Sequence, residues 1–122
     1  MVVKMYWVNN YRELLAPLHM DRALVLSAAP FRRAASAKTG CGGVQIDLLV
    51  QTKMSVCIVE IKRKREIGRE IVAELSEKCE RLSRRPGVSL RTALVYVGEL
   101  APSVEADGYI DSIIPARRLL GL

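Results

Sequence analysis

An α/β domain with a central mixed β-sheet flanked by helices, in the order αβββαββ, is predicted by three features of the sequence. Two apolar runs, 44–51 and 55–62, flank a short polar turn and read as a hairpin. A charged segment over 66–84 follows, with apolar residues at helical spacing. The apolar run Thr92 to Val97 then reads as a central strand parallel to the second hairpin strand, reached by a right-handed crossover. With 122 residues, 50% of them apolar, the chain is expected to form one domain, 1–122, with a real core and little room for a second module.

The elements are justified in order. Residues 4–17 read as a first helix with Trp7, Tyr11, Leu14 and Leu15 on one side and Pro17 at its end. Ala23 to Ser27 reads as a short strand. Residues 29–42, rich in small and basic residues, read as a long connection in which Arg32, Arg33 and Lys38 are placed to touch a nucleic-acid backbone or to be disordered. Lys53-Met54 reads as the hairpin turn. In the helix over 66–84 the stripe is Ile67, Ile71, Val72, Leu75, Cys79 and Leu82. Glu66 and Glu70 suit its positive end, Arg81, Arg84 and Arg85 its negative end, and Arg85-Pro86-Gly87 stops it. Tyr109 to Ile114 reads as an edge strand ending at Pro115.

The hairpin carries the chemistry. With a two-residue turn, paired residue numbers sum to 107, so Asp47 opposes Glu60 and Gln45 opposes Lys62. Side chains alternate along a strand, so Glu60 and Lys62 share a face. Opposed residues have Cβ atoms roughly 4.5–5.5 Å apart. Two carboxylates that close repel unless a cation lies between them, and a hard divalent ion takes oxygen ligands by preference. The alternative is a set of ordinary cross-strand charges on a solvated face. The apolar surroundings, Val44 to Val50 and Val56 to Ile61, argue against it.

Charge adds to this reading. The net charge is +6, and residues 62–85 alone hold nine Lys/Arg against five Glu. A basic stretch beside a pair of acids suits a polyanion such as nucleic acid. A salt-bridged helix face is the competing account of its far end. Aromatic residues are few, at 5%, which argues against stacking of single-stranded bases.

Other classes are disfavoured. Gly40-Cys41-Gly42-Gly43 lacks the following Lys and Ser/Thr of a nucleotide-binding loop. Three scattered cysteines (Cys41, Cys57, Cys79) and one histidine, His19, provide no zinc pattern and suggest a reducing, cytoplasmic setting. No run reaches the roughly 20 apolar residues of a membrane span, and nothing reads as a signal peptide.

Asp47, a gap of twelve residues, then Glu60-Ile61-Lys62 and a following helix resemble the PD-(D/E)xK nuclease superfamily. The longer string GVQIDLLVQ…VCIVEIKRKREIGREI is similar to the C-terminal nuclease-like domain of prokaryotic AAA-type ATP-binding proteins. The likeness is greatest over about 40–82. It implies a restriction-endonuclease-like sandwich and Mg²⁺-dependent phosphodiester hydrolysis, with Mn²⁺ as a substitute ion. By that resemblance Asp47, Glu60 and Lys62 are catalytic, and Asp47, Glu60 and the carbonyl of Ile61 hold the metal. Gln45, Arg63, Lys64, Arg65 and Arg69 are assigned to nucleic acid. DNA, an ATPase module in the same parent chain and a second copy of the domain are the implied partners, with no membrane. Ile46 stands where the family has Pro. Lys4 stands where many members carry a Glu on the first helix. The second departure favours an alternative, a catalytically inactive module that binds nucleic acid or a partner for an attached ATPase. A structural tail whose acids only form salt bridges is a third account.

Overall fold

The computed structural model describes residues 2–38, 40, 42–82 and 86–119. It is an α/β fold. Strands β1 (Val25–Arg33), β2 (Val44–Thr52), β3 (Ser55–Ile67), β4 (Ser89–Leu100) and β5 (Ser112–Pro115) form one five-stranded sheet in that order. The sheet is mixed: β1, β2 and β3 are antiparallel neighbours, and β4 and β5 run parallel to β3. Helices α1 (Val2–Asn9), α2 (Arg12–Leu15), α3 (Glu70–Arg81), α4 (Pro102–Asp107) and α5 (Ala116–Leu119) and a 3-10 turn over Arg22–Leu24 are the other described elements. None of these helices is long and apolar enough to cross a membrane.

Strand alternation explains the two cores. Cys57, Val59 and Ile61 of β3 join Trp7, Leu14, Leu15 and Leu18 on one face of the sheet. Val56 and Ile58 join Ile71 and Leu75 of α3 on the other. Up to the bulge at Lys64 and Arg65, parity sets the face of each β3 side chain, and Glu60 follows Ile58 onto the α3 face.

Three register shifts interrupt the sheet, one at Leu26 and two bulges that bear on the site. Ala29 pairs with Leu49 and Phe31 with Ile46, so Asp47 and Leu48 together oppose Pro30. The extra residue flips the faces: Leu48 joins the α1 core, whereas Ile46 joins the α3 core. In the second bulge, Arg63 pairs with Val97 and Glu66 with Glu99, so Lys64 and Arg65 together oppose Gly98.

Several expectations hold. β2 and β3 pair Leu48–Val59, Leu49–Ile58, Val50–Cys57 and Gln51–Val56, the register summing to 107. The parallel alignment of β4 on β3 holds too. In α3, Ile71 and Leu75 are buried, with Val72, Cys79 and Leu82 packed beside them.

Others are corrected. The first helix is not continuous over 4–17. It breaks after Asn9, where the Asn10 side chain donates to the Tyr6 carbonyl at 2.8 Å and competes with helix propagation. The strand expected over 23–27 instead starts at Val25 and runs to Arg33, taking up part of the supposed long connection. Arg33, half-buried, donates to the Arg81 carbonyl at 2.5 Å. β3 continues to Ile67, and α3 begins only at Glu70, because β4 offers a paired edge and Gly68 disfavours a helical start. Glu66 is thus a strand residue. Glu70 alone fills the first turn, and hydrogen bonds from its own backbone N–H, from Gly68 N–H and from Lys64 hold its pKa down at about 2. The last strand is shorter than expected and includes Pro115. Arg84, Arg85 and Cys41 lie outside the described residues.

Candidate active site

The acids meet where the hairpin's ladder gives way. Beyond the Leu48–Val59 pair, the Asp47 side chain substitutes for a backbone partner: its Oδ2 accepts the Ile61 N–H at 2.9 Å. The bulge at Asp47 and Leu48 makes this possible by turning the carboxylate toward β3. Asp47 is therefore not a simple ladder partner of Glu60, as the extrapolated register implied. It is an acceptor that closes the splayed end of the hairpin.

Asp47, Glu60 and Lys62 nonetheless line one cavity of about 330 Å³. Gln45 is on its wall as well. Helix α1 supplies Lys4 and helix α3 supplies Glu74, Glu77, Lys78 and Arg81, residues spaced to recur on one helical face. Every acid in the cavity has a cation. Lys4 Nζ lies 3.1 Å from Asp47 Oδ1, Lys78 Nζ donates to Glu60 Oε1 at 2.6 Å, and Lys62 Nζ lies 2.9 Å from Glu74 Oε2. Arg81 pairs with Glu77 and also donates to the Gly43 carbonyl at 2.7 Å.

Burial sets the electrostatics. Glu60 is 1% exposed, and burial raises its pKa, reinforced by the charge of Asp47 and opposed by Lys78 and Lys62. Burial pulls Lys62 down, but Glu74 and both acids outweigh it, so the pKa of its ammonium is raised. A lysine held in this way is a fixed positive charge at neutral pH, not a ready proton acceptor.

The Glu60 shift gives a pH prediction. The folded carboxyl binds its proton more tightly than the unfolded one, so its contribution to stability is full below the ordinary 4.5 and is lost as pH rises through the raised folded value. Glu60→Gln is expected to flatten that part of the melting-temperature profile between pH 4 and 8. Parallel profiles for the two proteins would contradict the assignment.

The remaining predicted residues are dispersed. Arg63, Lys64, Arg65 and Arg69 are exposed. Lys64 and Arg65 line a separate groove of about 880 Å³ near Gly68 and Leu100. Lys64 is paired with Glu70 at 3.1 Å and Arg69 with Asp107 at 2.9 Å. Lys78 and Glu74 were missed by sequence reasoning. Their signal was present: they flank the apolar stripe of the helix that follows Glu60, on the side a crossover helix turns toward its strand.

The donor set suits a hard cation in kind. Two carboxylates face one cavity, with the Ile61 backbone between them and Lys62. Among the described residues no group of three or more Asp, Glu, His or Cys side chains is placed to share an ion. An ion would rest on Asp47, Glu60, a backbone carbonyl and water, and it would meet the ammonium groups already there. No family model matches the chain, and no curated protein matches it.

Proposed function

We propose that the domain hydrolyses DNA phosphodiester bonds with Mg²⁺ at Asp47, Glu60 and Lys62, on a restriction-endonuclease-like sandwich of the PD-(D/E)xK kind with the order αβββαββ. The observation that carries this reading is the convergence of the two hairpin acids and Lys62 on one cavity. Asp47 and Glu60 would hold the ion, with the Ile61 carbonyl beside them. When bound, such an ion polarises a phosphate oxygen and lowers the pKa of a water. Lys62, charged and held by Glu74, offsets negative charge building on the phosphate and orients the attacking water. Asp47 also fixes the backbone at Ile61, which keeps Glu60 and Lys62 in register. Gln45, Arg63, Lys64, Arg65 and Arg69 would meet the DNA backbone and read little sequence.

A second reading is favoured by one specific observation, the lysines on both acids. In it the domain keeps the fold and its basic surface but has no turnover, and docks nucleic acid or a partner for an ATPase in the same parent chain.

Supercoiled plasmid separates the two. The hydrolytic reading predicts nicking that depends on Mg²⁺ or Mn²⁺ and stops with chelator. The binding reading predicts retarded DNA with a steep salt dependence and no nicks in any metal. Absence of both binding and nicking would contradict the hydrolytic reading and the nucleic-acid form of the second.

A further inference from the structure

The two ammonium groups on the acid pair differ in how they are held. Lys78 reaches Glu60 from α3, its side chain 22% exposed and Glu60's only 1%. Removing that ammonium would leave a carboxylate buried and unpaired, so it is a fixed counter-ion. Lys4 comes from α1, its side chain is 38% exposed, and among the described residues its ion-pair partner is Asp47, whose side chain is 6% exposed. The acid stays in place because Ile61 N–H holds its other oxygen, while the lysine is free to swing outward.

We infer that Lys4 is the exchangeable counter-ion of the site: its ammonium takes the cation's position at Asp47, and a divalent ion enters by displacing it. This rests on the metal-site reading above. The charges of Asp47, Glu60, Lys4 and Lys78 sum to zero, so the closed site has little electrostatic attraction for a free cation. With a divalent ion in and Lys4 turned out, the acids, the ion and Lys78 carry one net positive charge. A phosphodiester anion neutralises that charge, and the released ammonium sits at the cavity mouth where the phosphate arrives. Lys4 would therefore couple metal entry to substrate binding and keep metal affinity low without nucleic acid.

Calorimetric titration with Mn²⁺ alone tests this without any activity readout. Lys4→Gln is expected to bind Mn²⁺ at least about tenfold more tightly than the native chain, because the ion no longer has to displace an ammonium from Asp47. Lys53→Gln, on the exposed hairpin turn, removes the same formal charge elsewhere and is expected to change affinity less than about twofold. Adding Asp47→Asn to Lys4→Gln is expected to abolish the gain. Equal affinity in the native chain and Lys4→Gln, or an equal gain in Lys53→Gln, would overturn the inference. Mn²⁺ binding that needs Asp47 but ignores Lys4 would overturn it while leaving the metal site standing. No binding in any of these proteins at about 10 mM Mn²⁺ would remove both. The pair is partly exposed, so Lys4→Gln should melt within a few degrees of the native chain.

Discussion

Asp47→Asn is expected to reduce Mg²⁺-dependent nicking at least about 100-fold while leaving the domain folded. The choice of asparagine follows from the two jobs of Asp47. One oxygen accepts the Ile61 N–H at 2.9 Å, and the other faces the Lys4 ammonium at 3.1 Å. Asparagine keeps a carbonyl for the first job and loses the charge needed for the second. Its cost in stability should stay within about 1 kcal/mol. Asp47→Ala removes the acceptor as well, leaves the Ile61 N–H without its partner, and should cost about 1–3 kcal/mol. Nicking rate and urea midpoint, measured on both variants, separate chemistry from folding. A second consequence can be read independently: with Asp47 neutral, one of the two causes raising Glu60's pKa disappears, and that carboxyl should titrate lower. Asp47→Asn that nicks at the native rate would rule out the mechanism.

Gly98→Ala is expected to be the most destabilising single substitution, at about 4 kcal/mol or more. Gly98 has φ +123°, and a Cβ placed there would lie 1.7 Å from the Lys64 carbonyl oxygen. That atom is backbone, held in the longest strand pairing of the sheet, so no side-chain rotation relieves the clash. Either β4 parts from β3 or the bulge at Lys64 and Arg65 is lost, and in both cases Glu66 and Ile67 leave their partners. Gly87→Ala is the matched control. Its φ is also positive, at +82°, but nothing lies within 4 Å of the added carbon, so only backbone strain of about 1 kcal/mol is expected. Urea unfolding of the two variants checks the contrast. Equal small losses would contradict the role assigned to the bulge.

The parts legible in the sequence were those governed by short-range periodicity. The hairpin register followed from Lys53-Met54 and the alternation on either side, and Ile71 and Leu75 followed from helical spacing. The opaque parts depended on distant partners. Nothing local marks Asp47 and Leu48 as a bulge; it arises because Pro30, seventeen places before Asp47 in the chain and on another strand, offers no N–H to pair with. The continuation of β3 through Lys62, Arg63, Lys64 and Arg65 ran against their charge, and only the edge of β4 makes it a strand. α4 and α5 went unseen because each spans a turn or so, too short for periodicity to register. That Asp47, Glu60 and Lys62 face one cavity was legible from the hairpin alone. Lys78 was not, since its approach to Glu60 is set by how α3 lies on the sheet.

A crystal soaked in Mn²⁺ and measured for anomalous scattering tests the central claim most directly. The account predicts a peak roughly 2–2.5 Å from a carboxylate oxygen of Asp47 and from one of Glu60, with the Lys4 ammonium displaced from Asp47. An empty map at that cavity, with Lys4 and Lys78 still on the two acids at full Mn²⁺ exposure, would contradict it.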